Sequence, residues 1–161
     1  MTPPFLLDTD VLSNLRQRRP HPALAQWLLS VDPDNLFTSV TSIAEIQRGI
    51  CVVADLARAS QMQAWLDGML RDGQPTVVDL NVQAALVLGR MWAAPPLRVF
   101  IANDPRSRKV RSGADLAIAA CAIARGMILA SRNISDFLQI HGYFPLPGLF
   151  NPFDSSWAVQ P

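Results

Sequence analysis

The reading of this chain turns on FLLDTDVLSN, Phe5 to Asn14. Three apolar residues run without alternation into Asp8-Thr9-Asp10, and the apolar pattern resumes at Val11 and Leu12. A short continuous apolar run suits a strand buried on both faces. Acids at the end of such a strand do little for the fold. In an open α/β sheet, however, ligands bind outside the carboxyl ends of the strands. Asp8 ends the strand and is a candidate for that work. The competing reading is a turn or cap residue before a helix starting near Val11. Asp10 is expected to point the other way along the turn.

Working outward, the same plan recurs. LFTSV (Leu36 to Val40), TVVDL (Thr76 to Leu80) and MILAS (Met127 to Ser131) read as further strands. ALAQWLLSV (Ala23 to Val31), the run from Ser42, Ala57 to Leu70, NVQAALVLGRMW (Asn81 to Trp92) and GADLAIAACAIARG (Gly113 to Gly126) have helical spacing. Strands alternating with helices argue for an α/β fold with a mainly parallel sheet covered on both faces. Pro95 and Pro96 end one helix, and a polar, basic loop runs from there to about Ser112. The tail carries Pro145, Pro147 and Pro152 and is expected to be mostly irregular, with a short last strand near Leu149-Phe150.

At 161 residues the chain suits a single domain, 1–161, with a sizeable core, because half of its residues are hydrophobic. A net charge of +1 supplies no overall field to attract nucleic acid, so any basic character must be local. Cys51 and Cys121 sit in apolar helical runs and read as buried free thiols. No stretch of 18 apolar residues occurs, which points to a soluble, cytoplasmic protein with no membrane partner. Neither the P-loop nor the dinucleotide-binding glycine pattern is present.

Further acids follow the later strands. Glu45, the chain's sole glutamate, lies one turn into the helix after the second strand, although Ser42-Ile43-Ala44-Glu45 also fits a capping box. Asp115 opens the helix before the fourth strand, where a first-turn acid also suits the helix dipole. Asn133 and Asp136 follow that strand in SRNISDF, an ordinary loop or N-cap sequence as well. Carboxylates gathered at one rim repel one another unless a cation lies between them. The simplest is Mg²⁺, which takes oxygen ligands and keeps waters for a substrate phosphate.

LLDTDVLSNL, SVTSIAEIQRG, GADLAIAACAIARG and LASRNISDF, in this order and spacing, resemble the PIN-domain ribonucleases, most of all the VapC-type toxins of bacterial toxin–antitoxin pairs. The ending LFNPFD is similar to the Asn-Pro-aromatic tail of that group. The resemblance implies a three-layer α/β/α sandwich, a Mg²⁺- or Mn²⁺-dependent endoribonuclease acting on RNA, a homodimer and a cognate antitoxin protein. It matches Asp8, Glu45 and Asp115 to the family's first three acids, as metal ligands. The fourth acid's place is taken by Asn133, with Asp136 three residues on as a substitute.

Arg106, Arg108, Lys109 and Arg111 crowd the loop just before Asp115, and beside a metal site they are candidates for RNA phosphate contact, as is Arg132. Two other readings compete. A phosphatase of the haloacid dehalogenase type would use Asp8-Thr9-Asp10 as an Asp-x-Asp motif. That motif wants Thr or Val where Leu12 stands, and the chain has one lysine, Lys109, and no adjacent pair of acids. A PIN-like module that binds RNA or protein without cutting gains support from Asn133.

Overall fold

β1 (Phe5–Leu7) lies inside a six-stranded sheet of order β3-β2-β1-β4-β5-β6. β2 spans Leu36–Ser39, β3 Thr76–Val78, β4 Ile128–Ala130, β5 Leu149–Asn151 and β6 Ser156–Val159. The first five run parallel, and β6 pairs antiparallel with β5. The computed structural model describes residues 3–102 and 112–161. The basic cluster Arg106, Arg108, Lys109 and Arg111 therefore lies outside the described residues.

Strand alternation assigns the two layers. Leu6, Leu129 and Leu149 point to one face, where they pack with α5 (Val82–Ala93), α6 (Ala114–Arg125) and α7 (Ile134–His141). Phe5, Leu7, Ile128, Ala130 and Phe150 point to the other. There they meet α1 (Thr9–Leu15), α2 (Pro22–Ser30), α3 (Val40–Cys51) and α4 (Leu56–Asp72). The result is the expected three-layer α/β/α sandwich, with both faces of the sheet buried. Ile46 and Ile50 of α3 follow helical i, i+4 spacing into this second core. Each such burial contributes about 1.5–3 kcal/mol.

The strand order matters for function. The chain steps from β1 outward through β2 to β3, then returns to place β4 on the other side of β1. The crevice beyond the carboxyl ends of β1 and β4 is thus a topological switch point, where open α/β sheets bind ligands.

Three expectations need correction. Pro95–Phe100 form a 3₁₀ helix rather than loop, because Leu97 and Phe100 are buried among α5 and α6. The tail is more regular than its prolines suggest: β6 forms because Trp157 packs on Phe150, ring centres 4.9 Å apart. Asp154 fixes the intervening turn through Ser156 N (3.0 Å) and Ser156 Oγ (2.6 Å). Both cysteines are free thiols, but only Cys121 is buried; Cys51 at the end of α3 is exposed.

Candidate active site

Asp8 leaves the sheet as its backbone N–H donates to Ala130 O at 3.0 Å, continuing the β1–β4 ladder by one residue. Thr38 Oγ1 donates to Leu7 O at 3.1 Å from the β2 side, so the end of β1 is held from both neighbours. Asp8 is also the N-cap of α1: its Oδ1 accepts from Thr9 N at 2.7 Å. The cap reading of this residue is therefore met, and it leaves Asp8 at the carboxyl end of β1. Its Oδ2 accepts from the fully buried Ser131 hydroxyl at 2.7 Å.

Asp10 turns toward Asp8 rather than away. Its Oδ2 accepts from Arg132 N at 2.8 Å and lies 3.4 Å from Ser131 Oγ, while its Oδ1 is buried with no hydrogen-bond partner among the described residues. A helix beginning at Thr9, two residues earlier than the sequence suggests, explains the reversal: residues 8 to 10 wrap around the first turn.

Glu45 is not part of a capping box. Ser39 is the N-cap of α3 and its Oγ accepts from Ser42 N at 3.0 Å, so Ser42 lies within the helix's first turn. Glu45 falls in the second turn, and its Oε2 accepts from Thr9 Oγ1 at 2.5 Å. Asp115 lies in the first turn of α6, which starts after Gly113 with no side-chain cap bond. Gly113 has φ +72°, and a Cβ there would stand 2.9 Å from Ile101 Cγ2. Only glycine takes this turn without strain. The buried alanines Ala117, Ala119, Ala120 and Ala122 seat the helix closely against its neighbours, as the sequence implies.

Asn133 is the N-cap residue of α7, yet its side chain makes no capping bond. Its Nδ2 donates instead to Asp136 Oδ2 at 3.0 Å, and its backbone N–H donates to Ser131 Oγ at 2.9 Å. The side-chain amide joins the two candidates for the fourth position into one unit, and the backbone ties it to Ser131. Of the loop and N-cap readings of Asn133 to Asp136, the second fits the position: residues 134–141 are helical, with Phe137 and Ile140 burying one face.

Asp8, Glu45, Asp115, Asn133 and Asp136 all line one cleft of about 420 Å³, together with Thr9, Asp10 and Ser13. Arg132 does not line it. Its backbone N–H serves Asp10, while its exposed guanidinium lies 5.3 Å from the centre of the Phe153 ring. Thr9 and Ser131 are contributors that sequence reasoning left out, and Asp10, expected to point away, is a third member of the site. Ser131 carried a signal, a hydroxyl at a strand's carboxyl end.

Burial pushes the Asp8 carboxyl well above the ordinary carboxylate range, and the charges of Asp10 and Asp115 push the same way, against the hydrogen bonds from Ser131 and Thr9. Burial raises Asp10 as well, opposed by bonds from Arg132 and its neighbours. Negative charge is therefore disfavoured at Asp8 and Asp10, and a cation beside them would relieve that cost. The donors are all oxygen, which suits a hard divalent ion. Among the described residues, no three acidic, histidine or cysteine side chains close into a compact ligand cluster.

An α/β/α sandwich with acids from the end of β1 and the early turns of α3, α6 and α7 at its switch point defines the class, and the PIN domain pattern matches residues 5–141. The chain belongs to the PIN-domain family. It is 29% identical over 133 residues to the VapC ribonuclease Y4jK of Sinorhizobium fredii, covering 83% of this chain and 89% of that protein. Among solved structures, FitAcB from Neisseria gonorrhoeae shares the fold with a TM-score of 0.66 at 19% identity, over 92% of this chain and 98% of that one. VapBC2 from Rickettsia felis, solved with a promoter DNA fragment, has a TM-score of 0.62 at 22% identity, over 84% and 91%.

Proposed function

We propose that this PIN-domain protein is a Mg²⁺- or Mn²⁺-dependent endoribonuclease and the toxin of a toxin–antitoxin pair, acting with a cognate antitoxin. The observation that carries this is the convergence of Asp8, Glu45, Asp115, Asn133 and Asp136 in one cleft at the switch point of the sheet. The likeness to a VapC ribonuclease over most of both chains supports the substrate class.

Asp8, Glu45 and Asp115 are the residues that would hold the metal. The bound ion supplies positive charge against the phosphoryl oxygens and lowers the pKa of water. Asp8 is held rigidly for this role by Thr9 N and Ser131 Oγ. Asp136, oriented by the Asn133 amide, provides the fourth carboxylate and can accept a proton at Oδ1 from attacking water. Asn133 thus acts by orienting that acid. Arg106, Arg108, Lys109 and Arg111 orient the RNA strand through its phosphates. Arg132 contacts RNA only at the rim, since its side chain packs on Phe153. Asp8→Asn tests the assignment: it keeps the fold and loses cleavage. Full activity in that variant contradicts it.

A non-cutting, RNA- or protein-binding module is the second reading, favoured by the amide at Asn133. Metal titration separates the two, because a degenerate cleft binds Mg²⁺ or Mn²⁺ weakly if at all. We further propose that the protein is a cytoplasmic homodimer; among the described residues no helix is long and apolar enough to cross a membrane.

A further inference from the structure

Thr9 meets two of the three proposed metal ligands at once. Its backbone N–H donates to Asp8 Oδ1 at 2.7 Å, and its hydroxyl donates to Glu45 Oε2 at 2.5 Å. The second bond joins residues 36 positions apart and ties the first turn of α1 to the second turn of α3.

Glu45 needs such a partner more than Asp8 does. Asp8 is buried and bonded on both oxygens. Glu45 is half-buried, and among the described residues its carboxylate is bonded by Thr9. A glutamate has several rotatable bonds, and confining it costs up to about 2 kcal/mol of side-chain entropy. Thr9 is suited to offset that cost, since its β-branch restricts χ1 and pre-aims the hydroxyl. The bond uses Oε2 and leaves Oε1 outside it, on a side chain that lines the cleft.

We infer that Thr9 is a positioning residue: its hydroxyl selects the Glu45 rotamer that presents Oε1 to a divalent cation in the cleft. The inference rests on the metal-dependent reading above. Residues that orient a ligand in this way typically change metal affinity or activity about 10–100-fold when removed.

The test compares Mn²⁺ affinity, by electron paramagnetic resonance of free Mn²⁺, across wild type, Thr9→Val, Thr9→Ser and Glu45→Gln, with RNA cleavage measured alongside. Thr9→Val keeps the side-chain volume and removes the donor; it should weaken Mn²⁺ binding roughly 10-fold or more. Thr9→Ser should restore most of the loss. Thr9→Val added to Glu45→Gln should cost nothing further, because the hydroxyl acts only through the carboxylate. Should Thr9→Val fold poorly by circular dichroism, Thr9→Ala carries the same comparison.

Unchanged Mn²⁺ affinity in the folded Val or Ala variant overturns the inference, as do equal losses in Val and Ser or additive losses with Glu45→Gln. Wild type that binds no Mn²⁺ and cuts no RNA defeats the proposed function itself, and this inference with it. Wild type that binds Mn²⁺ while Thr9→Val binds it equally defeats the role of Thr9 alone.

Discussion

The Ser131 hydroxyl donates to Asp8 Oδ2 across 2.7 Å, joining the carboxyl ends of two adjacent parallel strands. The same oxygen accepts from Asn133 N at 2.9 Å and lies 3.4 Å from Asp10 Oδ2. One buried hydroxyl therefore organises two acids and the start of α7. Ser131→Ala leaves a buried carboxylate oxygen and a backbone N–H short of partners, which should cost about 1–3 kcal/mol. Urea unfolding measures this, and cleavage should fall in the same variant.

Asp8→Asn should raise thermal stability in metal-free protein at neutral pH while removing activity. Burial raises the Asp8 pKa above its unfolded value. The stability linked to this group is then fully present below the unfolded pKa and lost as pH rises through the folded one. Asparagine carries no charge and escapes that loss. Melting curves from pH 4 to pH 8 should show the variant's advantage growing with pH.

Metal-free wild type should lose stability over the same rise in pH, since Asp10 is shifted in the same direction. Mg²⁺ or Mn²⁺ should reverse the trend, because a ligand bound only to the folded state stabilises it. At 100 times its dissociation constant the gain is about 2.7 kcal/mol. Melting temperatures with metal and with chelator give the comparison.

Gly113→Ala should destabilise by more than about 1 kcal/mol, because a positive φ and a contact of 2.9 Å with Ile101 both oppose the added methyl. It should also lower activity, since the turn lines the cleft and sets the start of the helix bearing Asp115. Calorimetry paired with a cleavage assay tests both effects.

Replacing Arg106, Arg108, Lys109 and Arg111 by alanine should weaken RNA binding across sequences alike. Each lost phosphate contact to a single strand lowers the salt dependence by about 0.7, so four remove roughly 3 from the slope of log K against log salt. Fluorescence titrations at several salt concentrations, with a non-cleaving variant, measure it.

Much of this was legible in the sequence. Phe5-Leu6-Leu7 and Ile128-Leu129-Ala130 read as strands because burial on both faces leaves an unbroken apolar run. The five predicted polar residues that share the cleft follow from the parallel topology, which brings the strand ends and the starts of the next helices to one edge. What was missed depended on contacts distant in sequence. The direction of Asp10 depends on Arg132 N and Ser131, more than 120 positions away. For Glu45 the capping-box alternative stood open because Ser42 precedes it by three, and only the start of α3 at Val40 shows that Ser39 does the capping. β6 was hidden by the preceding prolines, its strand held by Trp157 against Phe150.

The most direct measurement is cleavage of a mixed RNA pool by antitoxin-free protein, with Mg²⁺, with Mn²⁺ and with chelator, for wild type and Asp115→Asn together. The account predicts cutting by wild type that needs the metal and is lost in the variant, with both proteins folded. Folded wild type that leaves the RNA intact in either metal, or equal cutting by Asp115→Asn, would contradict it.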